Sequence, residues 1–571
     1  MLVINKKSCN FAISIRITLQ YTMNMRQIKI LLLLCMLSAY AFADNRANFN
    51  IVPLPDKIQT TDGKAFILQD GVTVGCKEND ENMLRNVRFL SEYVKEQTGI
   101  TLNNQAVNKK ATILLCLNEK VSNKEGYRLT VNNKKILIEG STPAGVFYGI
   151  QTLRKALPIT KEAASIEIPA VVIDDAPRFA YRGMHLDVSR HFFPLRFVKQ
   201  YIDMMVLHNM NTFHWHITDD QGWRIEIKKY PELTKKGSIR QRTVVGRNTE
   251  LFDYTPYGGY FTQEEAKEIV RYAAERYIKV IPEIDMPGHM LAALHAYPEL
   301  GCTGGPYEVC PLWGVFDDIL CAGNPKVYDF VKGVLDEICE IFPSEIVHIG
   351  GDEAPRTRWQ QCAKCQEMIR KQGLKADAKY PAEAKLQGYF TSVVEDYLAS
   401  MGKRILGWDE ILEGDVRPSA MIMSWRGVEG GIEASAKGHD VVMAPTSHFY
   451  FDYYQVEMNR RFREPQLIGG TLPIDKTYSF EPIPAGMSDE AKSHILGVQA
   501  NLWTEYITCD EVVEYQVLPR MGALCEVQWM QPEKKNFEQF VERSRHMTDI
   551  YQHYGWQYAK HLYRKSEVNE W

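Results

Sequence analysis

The sequence predicts an α/β protein whose larger part is a (β/α)8 barrel of the TIM type, preceded by a small α+β domain. Two observations carry that expectation. From residue 176 onward, short β-like runs alternate with longer helical patterns eight times, which fits a closed barrel better than an open doubly wound sheet. Each run also ends in a polar or aromatic residue at the same end, where a barrel collects its reactive side chains.

The elements follow in order. Residues 1–43 read as a secretory signal. Lys6, Lys7, Arg16, Arg26 and Lys29 precede the apolar run Ile30–Leu37, and Ala41-Phe42-Ala43 supplies a small-x-small cleavage site before Asp44. The run falls short of the roughly 20 apolar residues that span a bilayer, so no membrane span is expected. Cys35 lies inside the run without small residues before it, which argues against a lipid anchor. The mature chain is therefore expected to be exported, periplasmic or secreted.

Residues 44–175 read as the α+β unit. Strand-like runs at Ile113–Leu115, Tyr127–Val131 and Ile136–Ile138 alternate with helical patterns at Asn86–Lys95 and Ala144–Leu157. No motif here gathers ionisable and aromatic residues, so its role is packing support. Asp174-Asp175-Ala176-Pro177 is turn-like and marks the boundary.

Residues 176–571 read as the barrel with a C-terminal helix. The runs are Gly183–Val188, Thr212–Ile217, Lys279–Ile284, Ile346–Ile349, Arg404–Gly407, Met421–Ser424, Val441–Met443 and Ile495–Gln499, with helices such as Gln263–Tyr277, Val327–Ile341 and Ala382–Ser400 between them. No GxGxxG or phosphate loop follows any strand, and no cofactor is expected.

Composition narrows the function. Among 571 residues, 67 basic side chains face 71 acidic ones, so no positive field draws in nucleic acid. The 29 Tyr and 10 Trp suit the flat faces of sugar rings. Ten cysteines remain after the leader, in an export context that permits disulfides. Cys302, Cys310, Cys321 and Cys362-x-x-Cys365 crowd into one third of the chain. Zinc calls for a second close pair, which the spacing lacks, so one or two structural bridges and no metal are expected.

The strand ends give the candidates: Asp187, Arg190 and His191; Asp219 and Asp220; Asp285 and His289; Asp352 and Glu353; Trp408; Trp425; Tyr450 and Asp452; Trp503 and Glu505. Carboxylates, one arginine and aromatic walls, with no nucleophilic Ser or Cys motif, suit a glycosidic bond. Neighbours on a strand point apart, so Asp352 and Glu353 do not easily flank that bond as nucleophile and acid. A coherent alternative makes Glu353 the proton donor and lets a 2-acetamido carbonyl of the substrate attack, with Asp352 holding its N–H. Gly350-Gly351 would let the backbone approach the sugar closely.

The motifs Arg182–His191, His214–Asp220, Glu283–His289 and His348–Glu353 together resemble glycoside hydrolase family 20, the β-N-acetylhexosaminidases, over nearly the whole mature chain. The resemblance implies a small α/β domain before a catalytic barrel, and exo-acting removal of terminal β-linked N-acetylhexosamine from oligosaccharides or glycoconjugates. It implies retention through substrate assistance, a departure from the two-carboxylate scheme. It makes Glu353 the general acid/base, Asp352 the acetamido-orienting residue, Tyr450 a donor to the acetamido carbonyl, and His289 and Asp219 a relay behind the glutamate. Arg190 would clamp ring hydroxyls, Asp452 and Glu505 would bind others, and Trp408, Trp425 and Trp503 would box the sugar. One departure stands out: Ile468 occupies the place where relatives often carry a further pocket tryptophan, which opens that wall.

Three other readings stay open. His214-x-His216 with Asp219 suits a metal-dependent hydrolase, although a third ligand at matching spacing is not apparent. A non-catalytic sugar binder would not need the Asp352–Glu353 pair, and an ordinary two-carboxylate glycosidase would not depend on the acetamido group. Asp187 and His185 read as internal bonding partners, Asp220 fits either role, and Trp359 reads as a packing anchor.

Overall fold

The computed structural model describes residues 45–160, 163–457 and 464–563; the leader expected at residues 1–43 lies outside them. In the N-terminal domain a seven-stranded mixed sheet runs in the order Lys57–Thr60, Val171–Asp175, Tyr127–Asn132, Lys135–Gly140, Ile113–Leu117, Thr73–Cys76 and Asn103–Val107. Helices Glu81–Thr98 and Pro143–Ala156 bury Val87, Leu90, Ile150 and Leu153 in one core with Ile113, Leu115, Ile136 and Ile138 of the sheet. Asp80 caps the first helix and Thr142 the second, each satisfying an N–H that the helix start leaves unpaired.

The rest is a closed barrel of eight parallel strands in chain order: Tyr181–Asp187, Thr212–His216, Lys279–Glu283, Ile346–His348, Arg404–Trp408, Met421–Ser424, Val441–Met443 and Ile495–Ala500. Pairing of Gly183 with Gln499 closes the ring. Ile281, Ile346, Leu406, Met421, Met423 and Val442 fill its interior. Outside, helices such as Gln263–Glu275, Pro325–Ile341 and Ala382–Ser400 pack a second core against the strands. Thr262 and Glu265 form a reciprocal capping box at the start of the first of these. Among the described residues, no helix is long and apolar enough to cross a membrane.

Three local expectations need correction. Asp174 and Asp175 end a strand instead of forming a turn, because the buried Asp175 carboxylate accepts from Trp529 Nε1 at 3.0 Å and Tyr127 Oη at 2.8 Å. The fourth barrel strand stops at His348, so the alternation of strand side chains does not apply to Asp352 and Glu353. None of the described cysteines is joined in a disulfide. Cys302, Cys321 and the Cys362-x-x-Cys365 pair converge with Sγ–Sγ separations of 3.6–3.8 Å, well beyond a disulfide bond of about 2.05 Å. The loops after the third and fourth strands fold together there, so cysteines far apart in sequence meet. Cys310 stands apart, its thiol on the Leu312 carbonyl.

Candidate active site

The loops at the C-terminal ends of the strands enclose a cavity of about 410 Å³, within the range of a small-ligand site. All eleven residues to which the resemblance gives a role line it: Glu353, Asp352, Tyr450, His289, Asp219, Arg190, Trp408, Trp425, Asp452, Trp503 and Glu505; of the other strand-end candidates Asp285 lines it, and Asp187, His191 and Asp220 do not.

A chain of buried ion contacts runs from the barrel interior to this cavity. At its inner end Glu283 accepts from Trp408 Nε1 at 2.9 Å and is hydrogen-bonded to the ring of His216, with His214 Nε2 and His348 Nδ1 each 3.0 Å away. His216 Nε2 then meets Asp219 Oδ2 at 2.8 Å, which also takes Arg190 Nη2 at 2.9 Å. His289 Nδ1 lies 3.3 Å from Asp219 and 3.1 Å from Asp220. Its Nε2 faces Glu353 at 3.6 Å and Asp352 at 3.8 Å. His289 thus leans on two carboxylates, which gives Asp220 a place beside Asp219.

Charges along this chain are set by their neighbours. Burial would raise Asp219, but Arg190 and His289 hold it far below the ordinary range. Burial opposes the charge of His289, yet Asp219, Asp220 and Glu353 raise its pKa well above the ordinary imidazole value. His289, facing its carboxylate at 3.6 Å, holds Glu353 below the usual glutamate value against burial, with Arg190 adding to the effect. Asp352 is pushed up to about 6 by burial, aided by Glu283 and Glu353 against His289. Beside it Glu410 rises to about 9, through burial and the charges of Asp352 and Asp409, while giving Trp425 Nε1 an acceptor at 2.9 Å.

Backbone geometry aims the pair. Glu353 has φ 45° and His289 φ 52°, a region that costs a non-glycine residue about 1–3 kcal/mol. With Glu353 in that conformation, both neighbouring carboxylates reach the same imidazole nitrogen. Gly350 and Gly351 also have positive φ, but a Cβ at Gly350 would strike Asp285 and one at Gly351 would sit 2.5 Å from Ile411. Their missing side chains make room for protein atoms, not for the sugar.

Family models decide the wider relationship: the catalytic domain of glycosyl hydrolase family 20 matches residues 179–532, and domain 2 of the same family matches residues 48–176. The chain belongs to glycosyl hydrolase family 20. It is 40% identical over 503 residues to the β-hexosaminidase of Porphyromonas gingivalis, covering 86% of this chain and 62% of that one; it spans under two thirds of that relative. The β-hexosaminidase of Vibrio furnissii is 35% identical, over 84% of this chain and 77% of that one. The solved family 20 exo-β-N-acetylglucosaminidase of Vibrio harveyi with N-acetylglucosamine aligns at TM-score 0.79 and 30% identity, over 91% and 79% of the two chains. The β-N-acetylhexosaminidase of Bacteroides fragilis aligns at 0.73 and 30%, over 89% and 96%.

In this family 20 chain the aromatic wall is continuous. Trp408 and Trp503 lie 5.9 Å apart between centroids, Trp425 stacks on Tyr450 at 6.1 Å, and Arg190 sits 5.0 Å over Trp503. Burial and Asp452 hold the Tyr450 phenol neutral, well above its ordinary value. Asp352 Oδ1, Asp452 Oδ1 and Glu505 Oε2 are buried acceptors without a hydrogen-bond partner, where a polyhydroxylated ligand supplies donors. Asp187 accepts from the Ser189 N–H at 2.7 Å and from Thr504 Oγ1 at 3.0 Å, and His185 Nδ1 from the Leu502 N–H, so both are internal partners. Of the metal-like His214-x-His216 pair, His216 is hydrogen-bonded to Glu283 and Asp219, while His214 lies 3.0 Å from Glu283 and takes Gln499 on its Nδ1.

Sequence reasoning also missed Trp313 and Arg247, which line the cavity from long loops where no strand end flags them, and Tyr453 and Tyr506, which stand next to the flagged Asp452 and Glu505. Trp313 and Ile468 both line the pocket, so a ring from the third loop accompanies the isoleucine. A larger cavity of about 640 Å³ lies between the domains near Asp56, Arg128 and Trp529, and none of the motif carboxylates reaches it.

Proposed function

We propose that the chain is an exo-acting β-N-acetylhexosaminidase that removes terminal non-reducing β-linked N-acetylglucosamine or N-acetylgalactosamine from oligosaccharides or glycoconjugates. Hydrolysis is retaining and substrate-assisted. The observation that carries this reading is a buried, unpartnered Asp352 oxygen beside Glu353 in a pocket walled by Trp408, Trp425 and Trp503. Asp352 and Glu353 meet at one imidazole nitrogen, hence on one side of the pocket, whereas a nucleophile and an acid must flank the scissile bond.

Asp352 accepts the acetamido N–H and balances positive charge as the carbonyl oxygen attacks the anomeric carbon. Tyr450 donates to that carbonyl. Glu353 protonates the leaving oxygen and then takes a proton from the attacking water. The Glu353 side chain is 39% exposed, so covering it with a sugar adds burial and raises its affinity for a proton. Arg190, Asp452 and Glu505 hold ring hydroxyls. The relatives named above support the substrate class, and the charged, apolar and Ala41-Phe42-Ala43 segments of the leader support export to the periplasm or beyond.

The test compares 4-nitrophenyl β-N-acetylglucosaminide with the matching β-glucoside. The acetamido compound should turn over at least about 10³-fold faster, because its nucleophile is already in place, and Asp352→Asn should erase most of that difference. Similar rates on the two glycosides would remove the proposed mechanism.

A further inference from the structure

We propose that Cys302, Cys321, Cys362 and Cys365 hold a structural zinc ion. Their four sulfurs lie within 4.8 Å of one another, with Cys321 Sγ 3.7 Å from Cys362 and 3.6 Å from Cys365, and Cys302 Sγ 3.8 Å from Cys365. Four thiolates each about 2.3 Å from a central zinc stand about 3.8 Å apart at the corners of a tetrahedron. Two disulfides would instead pull the sulfurs into two short pairs.

The surroundings are built for such a site. A Cβ at Gly323 would collide with the backbone of Lys364 and Cys365, so glycine is what lets the two cysteine-bearing segments touch. Trp359 is fully buried alongside and donates to the Leu320 carbonyl at 2.9 Å. Each of the other clusters of potential ligands is centred on Glu283 or His289, which already belong to the chain of contacts behind the pocket.

The location gives the ion a task. Cys302 and Cys321 bracket the loop that carries Trp313, Gly314 and Val315 into the pocket, and Cys362 and Cys365 follow Asp352 and Glu353 on the next loop. Zinc at the four thiolates ties these two loops together and spares the sulfurs from oxidation.

The full chain, purified without chelator, should contain about one zinc per molecule by elemental analysis. Zinc should leave on titration with an organomercurial, and cobalt exchange should give the visible spectrum of a tetrahedral tetrathiolate. Cys321→Ser and Cys362→Ser should lose the metal and unfold at lower temperature. If those variants fail to fold, the wild-type zinc ratio and cobalt spectrum still decide. Metal-free protein with these cysteines joined as disulfides in non-reduced peptide maps overturns the proposal. So does stoichiometric iron in place of zinc, or full zinc retention in a Cys321→Ser/Cys365→Ser chain.

Discussion

Glu353→Gln keeps the shape of the side chain and removes its proton, so the loss it causes depends on how much the leaving group needs protonation. With poor leaving groups kcat/KM should fall by about 10²–10⁴-fold, and with 4-nitrophenyl or more acidic aglycones by much less. An equal loss across a leaving-group series would take the acid role away from Glu353. His289 controls when that proton is present. Its positive charge, 3.6 Å away, holds Glu353 down, so His289→Gln should raise the carboxyl and move the alkaline limb of the kcat/KM profile upward by about one pH unit or more. A limb that stays in place, or moves toward acid, contradicts the contact. Residue types and spacing made both groups legible in the sequence. The left-handed backbone at Glu353, and the second carboxylate behind His289, arise from loop geometry that spacing does not encode.

At the scale of elements, the C-terminal ends of the barrel strands were legible to within one residue, because each strand is a short run buried on both faces and the polar or aromatic residues that follow it are local. Met421–Ser424, Val441–Met443 and helix Ala382–Ser400 end where their patterns end. Long loops were not legible in the same way. Trp313 enters the pocket from the stretch between the third strand and its helix, and Cys302 and Cys321 meet Cys362 and Cys365 only because two such stretches pack together. Glu283 was hidden for a different reason: it falls within the run expected at Lys279–Ile284, whereas the strand ends on it, and its three histidines come from neighbouring strands that a linear motif cannot align.

At the scale of the molecule, Arg182 belongs to a family motif yet works far from the sugar, at the seam between the domains. Its guanidinium gives both Nη atoms to Glu125 at 2.8 Å, with further bonds to the Phe179 and Asn209 carbonyls and to Tyr148 Oη. It lies 5.1 Å over Trp529. All five of its donors are engaged while the side chain is 1% exposed, so removing its carboxylate leaves a buried charge uncompensated. Glu125→Ala should therefore cost about 3–5 kcal/mol, read as a lower urea midpoint, with kcat/KM under native conditions unchanged. The comparison is Asp174→Ala, which breaks the exposed Arg128–Asp174 pair and should cost no more than about 1 kcal/mol. Burial opposes the charge of Glu125, but Arg182 holds its carboxyl below the ordinary range. Its contribution is thus complete above the unfolded value of about 4.3 and is lost as pH falls through the lower folded one. The gap between wild type and Glu125→Ala should narrow in acid accordingly. Equal losses from the two variants, or a gap that widens in acid, would show that the seam does not depend on this ion pair.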